Sequence, residues 1–186
     1  PPPSVVSAGR NDLRDNATLY DLQVDIDVGA NVPRGDHTLF AHAPGGITNR
    51  VKIYVETANE LAEVEPNDTS ATANSFDTNL VTVGKMDVAG DADVYSFEGE
   101  ADDEIVYHVV STSVGSNLNS HLTIIDSAGK ELARSDETRF GNRMEPRVGF
   151  RFPAAGTYFV RITDKAFGSG GHYRLYGGEI PYVTSF

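Results

Sequence analysis

The residues best suited to chemistry in this chain are oxygen donors. "EVEPND" at 63–68 sets Glu63, Glu65, Asn67 and Asp68 around one proline, and "GDADVYSF" at 90–97 sets Asp91 and Asp93 two residues apart. Side chains two apart on a strand point the same way. Calcium takes about six to eight oxygens from carboxylates, amides and carbonyls at about 2.3–2.6 Å. Brought together, the two stretches offer enough oxygen for Ca2+, and Asp87 and Gly90 could add a carboxylate and a carbonyl. An ion there would also relieve the repulsion among like charges. The competing reading is a solvated acidic linker at 63–68 and a turn capped by Asp91 and Asp93, since acidic runs usually face water. Spacing alone leaves both readings open.

Catalytic constellations are missing. The histidines, His37, His42, His108, His121 and His172, show neither H-E-x-x-H nor H-x-H spacing, so a zinc site is not expected. No G-x-S-x-G elbow occurs, and that motif marks one large hydrolase class. Asp91 and Asp93 on one strand cannot face a sugar from two sides, as glycoside hydrolysis requires. No G-x-G-x-x-G or P-loop suggests a nucleotide. The expectation is a protein that is not an enzyme.

Short strands must position the acidic groups. "TLYDLQVDIDV" (18–28), "HTLFAHA" (37–43) and "RVKIYVE" (50–56) alternate apolar and polar residues, the period of half-buried strands. Pro33, Arg34, Gly35 and Asp36 form turn chemistry, which accounts for the "RGD" there without an integrin. "TANELAEVEPNDTSATANSF" (57–76) is polar and acidic. Its first half has helix formers, and the Glu65–Pro66 step would end such a helix. From residue 80 strands return: "LVTVGKM", "VYSFE", "EIVYHVVSTS", "SHLTIIDSAG", "KELARSD", a pair around "PAAG" within 146–164, and "GGHYRLYGGEIPYV" at 170–183. Such strands at regular spacing with Gly, Pro and Asp turns predict an all-β sandwich. On "GTYFVRITD", Tyr158, Val160 and Ile162 take the buried face, which turns Phe159 outward. On "HYRLYGG", Tyr176 faces away from Tyr173 and Leu175. Phe159 and Tyr176 are therefore candidate surface aromatics for binding a partner.

The 186 residues suit one large or two small domains. With 15 basic and 27 acidic residues the net charge is −12, and a nucleic-acid binder would show a basic face instead. No apolar run approaches the ~20 residues of a spanning helix, so membrane insertion is not expected. The absence of cysteine excludes disulfides and thiolate sites. No Met leads the chain, which is read as an internal piece of a longer protein.

"EVEPND", "GDADVYSF", "LTIIDSAG" (122–129), "AAGTYFVRITD" (154–164) and "HYRLYG" (172–177) occur in that order. The series resembles the bacterial pre-peptidase C-terminal (PPC) domain, known also from the collagen-binding domains of secreted collagenases. That family opens on E-x-E-P-N-[ND] and continues with G-D-x-D-x-Y-x-F, L-x-[IL]-x-D-x-x-G and G-T-Y-Y-[IV]-x-V. Residues 31–55 resemble the closing half of a bacterial Ig-like domain. The resemblance implies two β-sandwich modules: a partial Ig-like sandwich at 1–58 and a jelly-roll-like PPC sandwich at 70–182, joined by an acidic linker at 59–69. It also implies calcium at the acidic positions, which hold it in some family members. Collagen binding is not carried over, because Arg161 and Thr163 stand where collagen-binding members have tyrosines. The expected role is non-catalytic binding, spacing or adhesion in a secreted, periplasmic or cell-surface bacterial protein. Its partners would be neighbouring modules, other subunits or an extracellular polymer. A distinct alternative is a subunit of a filament, surface layer or larger extracellular complex. There, another chain's strand would complete the open Ig-like half.

Overall fold

Period-two alternation runs through most of the chain, and the backbone follows it into strands. The computed structural model describes residues 7–9, 23–43, 46–56, 58–135, 139–140 and 143–178. Expected strand residues 18–22 and 179–183 lie outside them, as do 44–45 of a predicted turn. In chain order the strands are β1 (Ser7–Gly9), β2 (Gln23–Asp25), β3 (Gly35–Leu39), β4 (His42–Ala43), β5 (Gly46–Ile47), β6 (Val51–Val55), β7 (Glu60–Ala62), β8 (Asn74–Ser75) and β9 (Val81–Lys85). There follow β10 (Ala92–Gly99), β11 (Glu104–Val110), β12 (Ser120–Asp126), β13 (Glu131–Ser135), β14 (Arg139–Phe140), β15 (Arg143–Met144), β16 (Arg147–Arg151), β17 (Gly156–Asp164) and β18 (His172–Gly178). One 3-10 turn, Thr112–Val114, is the only helical element among the described residues.

Two five-stranded sheets face each other, ordered β13-β12-β17-β10-β8 and β16-β11-β18-β9-β7. The all-β sandwich expected from the strand pattern is thus present. Its core interleaves Tyr95, Phe97, Leu122, Ile124, Tyr158, Val160 and Ile162 of the first sheet with Tyr107, Val109, Val148, Tyr173 and Leu175 of the second. Burying such side chains is worth roughly 1.5–3 kcal/mol each, and the Phe97 and Tyr107 rings meet across the layers at 5.0 Å.

Residues 60–62, inside the stretch expected as a linker with helix formers, form a strand. β7 pairs in parallel with β9, Glu60 opposite Val81 and Ala62 opposite Val83. Glu63 continues the ladder, its N–H donating to the Val83 carbonyl at 3.0 Å. Past Glu63 the chain crosses to the other sheet, where β8 pairs in parallel with β10. Asn74 ties the two ends of the crossing, accepting from the Val64 N–H at 2.7 Å and donating to the Val64 carbonyl at 2.9 Å. The acidic stretch is therefore part of the sandwich, closing the edge where β9 and β10 lie.

Within 1–58 the described strands pair two by two, as β1–β2, β3–β6 and β4–β5. The β3–β6 ribbon rests against the second sheet. The Tyr176 hydroxyl donates to Glu56 at 3.0 Å, Arg34 pairs with Glu56 at 2.9 Å, and the Arg174 guanidinium lies 5.3 Å from the centre of the Tyr54 ring.

The two candidate surface aromatics are corrected here. Phe159 does face away from the core, as alternation requires, but it is only 7% exposed, set opposite Ser96 and Ile125 of the flanking strands. Alternation fixes which face a side chain takes, not whether that face is covered. Tyr176 is half-buried, and its hydroxyl is engaged by Glu56 within the chain.

Candidate metal centre

The site is built where three segments meet. The β7 extension supplies Glu63, the crossing supplies Glu65 and Asn67, and the start of β10 supplies Asp93. The Val94 N–H donates to the Asn67 carbonyl at 3.0 Å, which pins the crossing to β10. One carboxylate oxygen from each of Glu63, Glu65 and Asp93 lies within 4.8 Å of the others. Asn67 and Asp93 are fully buried. The Oδ1 atom of each is sealed from solvent without a hydrogen-bond partner. A buried acceptor left unmatched is costly, and a cation among these oxygens would match both.

Two tyrosines floor the cluster. The Tyr95 hydroxyl donates to Glu63 Oε2 at 2.9 Å and lies 2.6 Å from the Tyr173 hydroxyl. Tyr173 in turn bonds Asp93 Oδ2 and reaches Glu63 Oε2 at 3.3 Å. Glu63 Oε1 accepts from the Lys85 N–H at 2.5 Å, and Asn67 Nδ2 donates to Glu63 Oε2 at 3.4 Å. Glu65 Oε2 accepts from the Asn67 N–H at 2.8 Å. Burial pushes the Asp93 carboxyl up to about 9. The Tyr173 hydrogen bond opposes that shift, and the Glu63 and Asp91 charges add to it. Burial and neighbouring carboxylates also raise Glu65. These are the signs of acidic groups crowded without a positive charge among them.

Of the six predicted ligands, Glu63, Glu65, Asn67 and Asp93 converge. Asp91 is largely spent on its own turn: its carboxylate accepts from the N–H groups of Asp87 at 2.6 Å and Ala92 at 3.1 Å. Asp68 is exposed and hydrogen-bonded to Asp91, which raises its carboxyl. Both lie at the rim. Asp87 points elsewhere, pairing with Lys85 at 2.6 Å. Sequence reasoning did not find Tyr95 or Tyr173 as members of the site. Tyr95 had a signal, since Asp93, Tyr95 and Phe97 alternate onto one face of β10. Tyr173 had none, because it stands 110 residues from the glutamate it contacts.

Residues 91–164 match the family model of the bacterial pre-peptidase C-terminal domain, and the resemblance drawn from the motifs holds over that span. A probable subtilase-type serine protease of Deinococcus radiodurans is 34% identical over 113 residues, covering 56% of this chain. The matched part is 14% of that protease's length. The pre-peptidase C-terminal domain of collagenase from Bacillus anthracis aligns with 62% of this chain and 100% of its own, at 17% identity and a TM-score of 0.47. PliG of Aeromonas hydrophila, a periplasmic inhibitor of g-type lysozyme, aligns with 64% of this chain and 91% of its own, at 12% identity and a TM-score of 0.37. No helix among the described residues is long and apolar enough to cross a membrane.

Proposed function

We propose that the sandwich is a non-catalytic, calcium-stabilised accessory module of a secreted, periplasmic or cell-surface protein, serving binding, spacing or adhesion. The carrying observation is the convergence of Glu63, Glu65 and Asp93, with Asn67 bonded to Glu63 and the Oδ1 atoms of Asn67 and Asp93 sealed without a hydrogen-bond partner. These residues would hold Ca2+, with Asp68 and Asp91 at the rim. The ion would supply positive charge and oxygen coordination, nothing more. The chain's own groups do the rest. Glu63 fixes the end of β7, Asn67 fixes the crossing to β10, and the tyrosine hydroxyls orient the carboxylates. Calcium would thereby tie the crossing to both sheets and stiffen the junction with the preceding ribbon.

Calcium titration by calorimetry, with thermal melts in calcium and in chelator, tests the reading. At a hundredfold excess over Kd the gain is about 2.7 kcal/mol, a rise of roughly 5–11 °C in Tm for a chain of this size. Glu65→Ala should lose most of it. Terbium gives a second readout, because the chain has no tryptophan and Tyr95 and Tyr173 touch the cluster, so tyrosine-sensitised emission reports occupancy. Absence of heat, Tm shift and emission would remove calcium from the account.

A second reading, a subunit of an extracellular filament, surface layer or larger complex, draws on one observation. β3 and β6 pair only with each other among the described residues, while Phe40 and Val51 stay about half exposed. Concentration-dependent association in sedimentation runs would support it, and a monomer at every concentration would count against it.

A further inference from the structure

The sandwich has two open sides, and they carry opposite charge. β13 and β16 end the two sheets on one side, where the Arg147 N–H donates to Ser135 Oγ at 3.2 Å. β7 and β8 end them on the other, joined by the crossing. None of the four pairs with a further strand among the described residues, so each side keeps a row of backbone donors and acceptors. Residues 130–151, which run through β13 and β16, hold six basic and four acidic residues, in a chain whose net charge is −12. Residues 60–77, which run from β7 past β8, hold five acidic residues and no basic one.

We infer that the sandwich joins a second copy of itself head to tail, the β13–β16 side of one copy against the β7–β8 side of the next. The pairing rests on the reading of the chain as a subunit of a larger assembly, and names the surfaces that join. Repeating the molecule along its strand order brings β13 against β8 and β16 against β7, so each layer meets its own continuation. Charge selects this contact over the alternatives. Two basic sides repel, two acidic sides repel, and only unlike sides attract. Arg134 and Arg151 reach solvent, with side chains 64% and 63% exposed. Their present partners, Glu131 at 3.6 Å and Asp102 at 3.3 Å, are exposed as well. Such surface pairs contribute little and can be exchanged for a neighbour's carboxylates. On the acidic side Asp77 is exposed, and Leu61 and Val64, 40% and 69% exposed, offer apolar surface for a neighbour to cover. A contact between two different patches does not close on itself, so it extends into a ring or a filament. A Ca2+ ion in the cluster would cut the acidic excess from five charges to three without changing its sign.

The test is sedimentation of the whole chain from about 10 μM to about 1 mM. Mass should rise with concentration and pass that of a dimer. Raising salt from about 0.01 M to about 0.15 M shortens the screening length from about 30 to about 8 Å, and should weaken association about tenfold or more. Arg134→Glu with Arg151→Glu turns the excess of 130–151 from two positive charges to two negative. Leu61→Lys with Asp77→Lys cuts the acidic excess of 60–77 from five to two. Each double variant alone should associate about tenfold or more weakly than wild type. Their equimolar mixture should recover, because it restores one native contact between unlike sides. If the acidic-side variant fails to fold by circular dichroism, the salt series and the arginine variant still decide. Association that ignores both salt and the arginine variant, but is lost in Val51→Asp on the ribbon, would overturn the head-to-tail contact and leave the assembly reading standing. A monomer under every condition would remove both.

Discussion

Gly84→Ala tests how tightly the acidic cluster is coupled to the core. Gly84 sits on β9 directly opposite Tyr173 of β18. A Cβ there would stand 2.3 Å from the Tyr173 Cζ and Oη atoms and 2.6 Å from Glu63 Oε2. Non-bonded carbons settle near 3.5–4.0 Å, so the ring has to move by about 1 Å or more. The buried ring cannot slide freely, because its hydroxyl is bonded to Tyr95 and Asp93. Overpacking costs about 1–3 kcal/mol. Stranding a buried polar group adds about 1–3 kcal/mol. The expected loss is about 4 kcal/mol, or roughly 8–16 °C in Tm. Urea unfolding and thermal melts measure it, and tyrosine-sensitised terbium emission should fall in parallel. A Tm within about 3 °C of wild type, with emission unchanged, would refute the claim that close approach of the Tyr173 ring to the β9 backbone builds the site.

Two further perturbations address other parts of the sandwich. Burial alone would push the Glu145 carboxyl up, but the His108 ring 3.7 Å away and hydrogen bonding from Ser113, its N–H at 2.9 Å, outweigh it and hold the group at about 2. A folded-state value below the unfolded one gives stability that is full above about pH 4.5 and lost as pH falls towards 2. The loss amounts to about 3 kcal/mol at 1.36 kcal/mol per unit. Glu145→Gln should flatten that part of the pH–stability curve, and parallel wild-type and variant curves would contradict the assignment. Tyr107 is fully buried with an unpartnered hydroxyl, so Tyr107→Phe should be neutral or stabilising by about 1 kcal/mol. A loss larger than about 1 kcal/mol in urea unfolding would show that the hydroxyl has a partner.

Strands that carry their own pattern were legible in the sequence. Tyr158, Val160 and Ile162 alternate into the core as their spacing requires. β7 was not legible: its three residues are exposed and carry no alternation of burial. They form a strand because β9 offers a free edge of backbone donors and acceptors, a fact about β9 rather than about residues 60–62. Phe159 failed for a similar reason, since cover comes from elsewhere in the chain. Tyr176 was read as outward and is outward, but the ribbon that meets it arrives from residues 34–56.

By itself the sequence determined the fold class and named the oxygen donors of the candidate site. Period-two alternation leaves the backbone little choice but strands, whereas six acidic and amide oxygens without a histidine pattern suit a hard cation and a solvated acidic turn alike. Tertiary structure decided which donors meet. Glu63, Glu65, Asn67 and Asp93 converge because the acidic stretch crosses from β7 to β8 over the start of β10. Asp91, though one residue from Ala92 at the head of that strand, bends back onto its own turn. Convergence depends on where two sheets end relative to each other, and that distance is set by the core between them. No local spacing records it.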